Sequence, residues 1–420
     1  MLMVFKRAGC RASWRRFLCC VLTILLTGTG CILPFPIFGQ EAEQLPSAII
    51  PRGGVILSTG HGDLPSPPTG ISARGAVLLE ASSGAVVYGH NQNTRLPMAS
   101  TTKIMTALVA LESLPLQTEV IIPSEAVGIE GSSIYLCEGE MLTLEQLLYA
   151  LLLASANDAA VAIALAVSGS VEAFAQRMNE KAEVLGLTET HFVNPHGLDH
   201  PDHFTTALEL AIITRAALDN ADFKRICSTQ KKTIPLHGEE GVRLLVNHNK
   251  LLSSYEGCVG VKTGFTKKTG RCLVSAAERD GVALIAVTLG DPDDWRDHKA
   301  LLDYGFSCFE ALTLCEEGDF STPLWLISGV QEYVMIQNSQ TLVAVLPRNH
   351  GEILCTVELP RFEYAPVAAG EAMGRLLFQE RGGNGVLREL GSVELTACYG
   401  VEELVYRPTL PERIRGLFFH

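Results

Sequence analysis

The sequence predicts an α+β domain, an antiparallel sheet flanked by helices, followed by a small all-β domain. Three observations lead there. Strand-like segments stand at both ends of the stretch from residue 71 to residue 311, helical segments rich in alanine and leucine fill its middle, and beyond residue 320 only short alternating strands recur. A chain of 420 residues has room for two such units, each with its own core.

Residues 1–30 read as an export signal: a basic stretch to Arg16, an apolar run from Phe17 to Leu26, then Thr27-Gly-Thr-Gly30, small residues suited to a signal peptidase. The run is short for a transmembrane helix. An uncleaved anchor continuing through Cys31 is the alternative, and Pro34 and Pro36 oppose it. Residues 31–70 are assigned as a linker, because Pro, Gly and Ser abound from residue 41 onward and little periodic pattern holds. Ala76–Glu80 and Ala85–Gly89, joined by Ser82-Ser83-Gly84, predict a hairpin. A helix is expected from Ser100 to about Leu114. Thr143-Leu-Glu-Gln146 is a capping box for a helix through Leu153, Ser155-Ala156-Asn157 forms a turn, and an alanine-rich helix starts at Asp158. Helices over 171–185 and 206–218 bracket the loop Asn194-Pro-His-Gly-Leu-Asp199. The period then changes. Segments 259–263, 271–277 and 282–289 read as neighbouring antiparallel strands, with Arg279-Asp280-Gly281 turning between the last two. Trp295 to Phe306 closes this domain as a helix, and strands near 332–336, 341–346, 353–359 and 392–396 build the β-domain over 320–403. The tail, 404–420, mixes Arg407, Arg413 and Arg415 with Leu, Ile and Phe. That composition suits a weak membrane anchor, while Pro408 and Pro411 suit a disordered tail.

Charge narrows the function classes. The formal net charge is −13, and the first 40 residues hold five basic and no acidic side chains, so the exported body is more acidic still. Phosphate binding needs a basic surface, which argues against a nucleic-acid partner. Of twelve cysteines four lie in the leader, and the rest show no C-x-x-C or Cys/His clustering. His191, His196, His200 and His203 fit no one-face ligand spacing and are read as solvated or structural. No metal and no cofactor are expected.

Three short motifs carry the chemistry. Ser100-Thr-Thr-Lys103 at a helix start sets a hydroxyl and an amine on one face. By itself it reads more readily as a capped helix. Ser155-Ala156-Asn157 on an interhelical turn and Lys262-Thr263-Gly264 on a strand change that weighting, since the three form a known set in this order and context. In chemical terms Ser100 is the nucleophile and Lys103 the base, neutral at pH 7 because Lys262 lies close in a partly dry cleft. Ser155 relays the proton to the leaving amine, Asn157 aligns Lys103 and the substrate amide, and Lys262 and Thr263 suit a terminal carboxylate. Gly264 is expected to leave the strand edge bare for an added peptide strand.

With these motifs and the words Gly131-Ser-Ser-Ile-Tyr-Leu, Glu138-Gly-Glu, Asn194-Pro-His-Gly-Leu, Asn249-Lys-Leu-Leu252, Lys262-Thr-Gly-Phe-Thr and Leu301-Leu-Asp-Tyr-Gly-Phe306, the chain resembles the low-molecular-weight penicillin-binding proteins. These are serine-type D-alanyl-D-alanine carboxypeptidases of bacterial cell-wall metabolism. The resemblance implies a β-lactamase/transpeptidase-like catalytic domain at 71–311 and removal of the terminal D-alanine from peptidoglycan stem pentapeptides through an acyl-serine. It also implies β-lactams as inhibitors, and an oxyanion hole from the backbone N–H groups of Ser100 and Phe265. The expected location is the extracytoplasmic wall or the outer face of the membrane, with peripheral membrane contact. A β-lactamase, endopeptidase or transpeptidase on the same scaffold is the alternative among enzymes, and a silent wall-binding or β-lactam-sensing protein is the alternative outside them. Two departures stand out. Relatives place a carboxylate-binding arginine before the closing helix, where this chain has Asp291-Pro-Asp-Asp-Trp-Arg296, and the C-terminal anchor segment is here short and broken by proline.

Overall fold

The computed structural model describes residues 55–60, 63–238 and 241–405. The expected export signal and the tail from residue 406 lie outside the described residues. The chain divides into two compact units: residues 63–311 with 345–348, and the remaining described residues.

Five strands of the larger unit form one sheet: β1 (Gly75–Glu80), β2 (Val86–His90), β3 (Cys258–Thr266), β4 (Gly270–Arg279) and β5 (Val282–Leu289). Their order is β2-β1-β5-β4-β3, with every neighbour antiparallel. The expected sheet built from both ends of the segment is therefore present, and β3, which carries Lys262-Thr263-Gly264, is an edge strand. Between β4 and β5, Asp280 and Gly281 both take positive φ, 48° and 81°. A two-residue hairpin turn needs that geometry, which is why Asp-Gly marked it.

The helices are α1 (Lys103–Ser113), α2 (Leu144–Leu153), α3 (Asn157–Ser168), α4 (Val171–Val184), α5 (Ala207–Leu218), α6 (Ala221–Cys227), α7 (Leu251–Ser254) and α8 (Asp294–Cys308). The capping box at α2 forms in full: the Thr143 hydroxyl accepts from the Gln146 N–H, and the Thr143 N–H donates to Gln146 Oε1. Helices cover both faces of the sheet. Val77, Leu79, Val274, Ile285 and Val287 pack with the α1–α5 layer, whereas Leu78, Ala277, Leu284 and Ala286 meet Leu301 and Leu302 of α8. Alternate side chains thus enter different cores, so all six residues of β1 are buried and the strand reads as a continuous apolar run. Not legible beforehand were α6 and the short strand pairs Glu119–Ile121 with Met141–Thr143 and Lys231–Pro235 with Val242–Val246.

The smaller unit holds a seven-stranded sheet in the order Val55–Thr59, Glu352–Glu358, Ala372–Arg381, Leu387–Ala397, Tyr333–Asn338, Ser321–Ile327 and Glu363–Tyr364. Neighbours are antiparallel except for the last pair. The linker assignment over 31–70 therefore needs correction at Val55–Thr59. This apolar and β-branched segment pairs with Glu352–Glu358 and rests Leu57 on the core of Leu324, Ile336, Phe378 and Leu395. No single helix among the described residues is long and apolar enough to cross a membrane.

The helical layer concentrates its volume in few large side chains, among them Phe174 of α4, which is fully buried. Phe174→Ala should lower stability by about 3–5 kcal/mol, measured as a shift in urea-induced unfolding at constant slope.

Candidate active site

The segment that carries Ser100 is tighter than the helix expected there. Residues Ala99–Thr102 form a single 3-10 turn and the α-helix begins at Lys103. The turn is entered through Ala99 at φ 48°, a left-handed conformation that alanine rarely adopts. Neighbours hold it there. The Thr102 hydroxyl donates to Ala99 O at 2.8 Å and lies 2.7 Å from Nε2 of the buried His203. His203 Nδ1 accepts from the Val193 N–H, so Nε2 carries the proton and points it at Thr102. Burial pushes the His203 pKa down to about 3, which keeps this tautomer neutral.

The loop Asn194–Asp199 lies against this turn. Its fold is set by Asn194, whose Oδ1 accepts from the Gly197 N–H at 2.7 Å and whose Nδ2 donates to Leu198 O. Pro195 O accepts from Thr106 of α1. Gly197, at φ 87°, sits so close that a Cβ there would fall 1.9 Å from Ala99 O. Asp199 Oδ1 accepts from the hydroxyls of Thr266 and Thr269, which ties the loop to the end of β3.

Ser100, Lys103, Asn157, Ser155 and Lys262 come together. Lys103 is fully buried, with Nζ 2.9 Å from Ser100 Oγ, 2.7 Å from Asn157 Oδ1 and 2.7 Å from His196 O. The Asn157 amide is oriented by its Nδ2, which donates to Glu130 O, so its oxygen faces Lys103. Desolvation, and next the charge of Lys262, lower the Lys103 pKa well below that of a free lysine, against an opposing pull from Asp158. In its neutral form the amine has two N–H groups and one lone pair. Asn157 Oδ1 and His196 O can only accept, so the two hydrogens go to them. The lone pair then faces Ser100 Oγ, and the serine donates.

Lys262, also buried, lies 3.0 Å from Ser155 Oγ and 2.8 Å from Thr263 O. Burial brings its pKa down to about 7. Ser155 occupies the turn between α2 and α3 at φ 60°, a position that aims its hydroxyl rather than capping α3. The capping reading of Ser155 is thus set aside. Asp158, next along, accepts from Ser133 Oγ and from the N–H groups of Ile134 and Leu136, and so holds the Gly131–Leu136 loop beside Asn157.

Gly264 also has a packing reason beside the one expected. A Cβ there would stand 3.1 Å from the Ser100 N, 3.1 Å from Met98 O and 3.2 Å from the Thr101 N. Glycine lets β3 close onto the turn that carries Ser100, and the next strand residue, Phe265, is exposed. Arg296 does not join the group. Its Nη1 lies 3.0 Å from Asp293, its Nε donates to Asp297, and its Nη2 donates to Asp297 and Gly70 O. Sequence reasoning also missed two backbone acceptors, His196 O and Glu130 O. Neither carbonyl carries a signal of its own in the sequence, since a backbone oxygen has no residue type. Among the described residues, no group of three His, Cys, Asp or Glu side chains lies together as a metal site.

The site thus sets a serine hydroxyl against a buried lysine amine, beside the edge strand of a sheet in an α+β unit. Residues 63–293 match the family model described as D-alanyl-D-alanine carboxypeptidase. The D-alanyl-D-alanine carboxypeptidase DacF of Bacillus subtilis is 31% identical over 321 residues, 74% of this chain and 82% of the relative. DacB2 of Mycobacterium tuberculosis is 36% identical over 239 residues, 55% of this chain and 81% of the relative. Among solved structures, penicillin binding protein 5 from Haemophilus influenzae superposes with a TM-score of 0.59 at 28% identity, covering 81% of this chain and all of its own. The Streptomyces K15 DD-transpeptidase gives 0.55 at 33% identity, covering 58% of this chain and 99% of its own. The chain belongs to the D-alanyl-D-alanine carboxypeptidase family and is a serine peptidase of that class.

The contact of Gly197 with Ala99 can be tested against a glycine that touches nothing. Gly197→Ala should cost about 2 kcal/mol or more and depress acylation, because the clash falls on the turn that carries Ser100. Gly169→Ala, at φ 74° with no atom within 4 Å, should cost about 1 kcal/mol and leave acylation intact. Thermal unfolding and the acylation rate, measured on the same samples, separate the two.

Proposed function

We propose that Ser100 is the nucleophile of a D,D-carboxypeptidase in which Lys103 is the general base. The observation that supports this most directly is the placement of Lys103 between two acceptor-only oxygens and one hydroxyl. The enzyme releases the terminal D-alanine of peptidoglycan stem pentapeptides through an acyl-serine and is acylated by β-lactams. Ser100 Oγ passes its proton to Lys103 as it attacks the carbonyl carbon, and the C–N bond breaks as Ser155, fed from Lys262, delivers a proton to the departing D-alanine amine. Water then hydrolyses the ester. The backbone N–H groups of Ser100 and Phe265 receive the oxyanion, and a lost donor of this kind typically costs about a hundredfold or more in rate. Lys262, Thr263 and Gly264 form the strand edge along which the peptide lies. The catalytic domain is taken as residues 71–311, exported by a leader at 1–30, with the β-domain at 320–403 and a tail from 404 that makes weak peripheral contact with the membrane.

Two measurements test this. With labelled penicillin and with a pentapeptide, Ser100→Ala should show neither label uptake nor D-alanine release; uptake equal to the parent would overturn the assignment. The pH profile of acylation should fall on the acid side as Lys103 is protonated. Lys262 lowers the Lys103 pKa, so Lys262→Ala should move that limb to higher pH, and an unmoved limb would remove Lys262 from the tuning of the base. A cross-linked dimer as the main product would favour transpeptidation.

A further inference from the structure

A carboxypeptidase substrate ends in a carboxylate, and each of the described cations Lys103, Lys262 and Arg296 is already engaged by the protein. Lys103 and Lys262 are buried and already hydrogen-bonded. Arg296, which stands nearest in sequence to the family's usual arginine, has all three of its nitrogens engaged by Asp293, Asp297 and Gly70 O.

Arg271 differs from it in position and in occupancy. It opens β4, next to the edge strand, and pairs directly with Phe265, while Thr263 pairs with Leu273. Directly opposed residues share a face, and so do residues two apart along a strand, so Thr263, Phe265, Arg271 and Leu273 lie on one face. Arg271 is thus the diagonal neighbour of Thr263, about 7–8 Å away between backbones, a span an arginine reaches easily. Its side chain is 42% exposed, and a single nitrogen, Nη2, is tied to Asp294 Oδ1 at 2.8 Å. Trp295 supports the guanidinium from one side, 5.6 Å from ring centre to Cζ. Asp294 is itself buried. The carboxylate of Asp294 and the indole of Trp295 therefore hold the fork at one end and leave its other edge turned to solvent, the arrangement a carboxylate needs for a two-pronged contact.

We propose that Arg271, not Arg296, binds the terminal carboxylate of the substrate, together with the Thr263 hydroxyl. This rests on the carboxypeptidase reading above. The cation is supplied from the second strand of the sheet, and the first turn of α8 contributes its anchor, Asp294, and its platform, Trp295. Arg271 is then a determinant of specificity: it selects peptides with a free C-terminal carboxylate over blocked ones.

The test compares a pentapeptide ending in D-Ala-D-Ala with the same peptide amidated at its C-terminus. Arg271→Gln should lower kcat/KM for the free acid about tenfold or more, mainly through KM, and leave the lower kcat/KM on the amide unchanged. Arg271→Lys should recover part of the loss, and Arg296→Gln should match the parent on both peptides. Equal losses of Arg271→Gln on acid and amide would overturn the proposal, because they would mark a structural role through the abandoned Asp294. So would the acid-selective loss if it appeared in Arg296→Gln, or in the joint substitution of the exposed turn residues Lys267→Gln and Lys268→Gln. If Arg271→Gln fails to fold, the Arg271→Lys comparison on the two peptides decides. These outcomes are separate from failure of the carboxypeptidase reading, which would appear as no acyl-serine at Ser100 in the parent enzyme.

Discussion

The contact on which everything else depends is the hydrogen bonding of one buried amine. Lys103 Nζ has three partners within 2.9 Å, and two of them accept only. A protonated Lys103 would offer a hydrogen to all three and leave Ser100 with no acceptor for its own. Burial and Lys262 both lower the affinity for that proton, and without it the same geometry turns a lone pair toward the hydroxyl. Much of the larger unit serves this point. Helix α1 carries the lysine, the start of α3 supplies Asn157, the loop at 194–199 supplies a carbonyl, and β3 brings the second cation.

Each of those deliveries required a close approach, and small or strained residues mark where it occurs. Gly197 and Gly264 both lie against the nucleophile turn, one from the loop and one from the strand. Ala99 and Ser155 take positive φ at the two places where the chain must turn a polar group into the cleft. Unfavourable backbone states of this kind cost about 1–3 kcal/mol each and persist where surrounding contacts over-determine them. Here those contacts can be named. The relay from Val193 through His203 and Thr102 holds Ala99, and the end of α2 and Lys262 hold Ser155.

Features carried by local chemistry were legible in the sequence. The Asp280-Gly281 turn, the Thr143 capping box and the buried strands of the sheet follow from conformational preference and period, and all stand as expected. That Ser100, Lys103, Ser155, Asn157 and Lys262 come together agrees with the three motifs, whose residue types are chemically constrained. What escaped was of two kinds. Short strands such as Val55–Thr59 owe their form to distant partners, here Glu352–Glu358, and carry no period of their own. Backbone acceptors such as His196 O have no residue type at all, so nothing in Asn194-Pro-His-Gly announces which carbonyl will matter. Tertiary pairing sets a third limit. The sequence leaves open whether Arg296 serves the substrate, and its ion pairs with Asp293 and Asp297, like the β4 register that sets Arg271 opposite Phe265, appear only once the chain is folded.

The two lysines have a consequence that reaches beyond the cleft. Each sits in the folded state with a pKa below that of the open chain, near 10.5, where both are protonated at pH 7. Over the window between the folded and unfolded values the open chain holds more protons, so stability must rise with pH there, and folding at neutral pH must release protons to solvent. Collapse of the larger unit is therefore itself an acid–base reaction. Part of the free energy gained by packing the helices around α1 is spent in lowering the proton affinity of Lys103, and that cost is met by folding, before any peptide has bound.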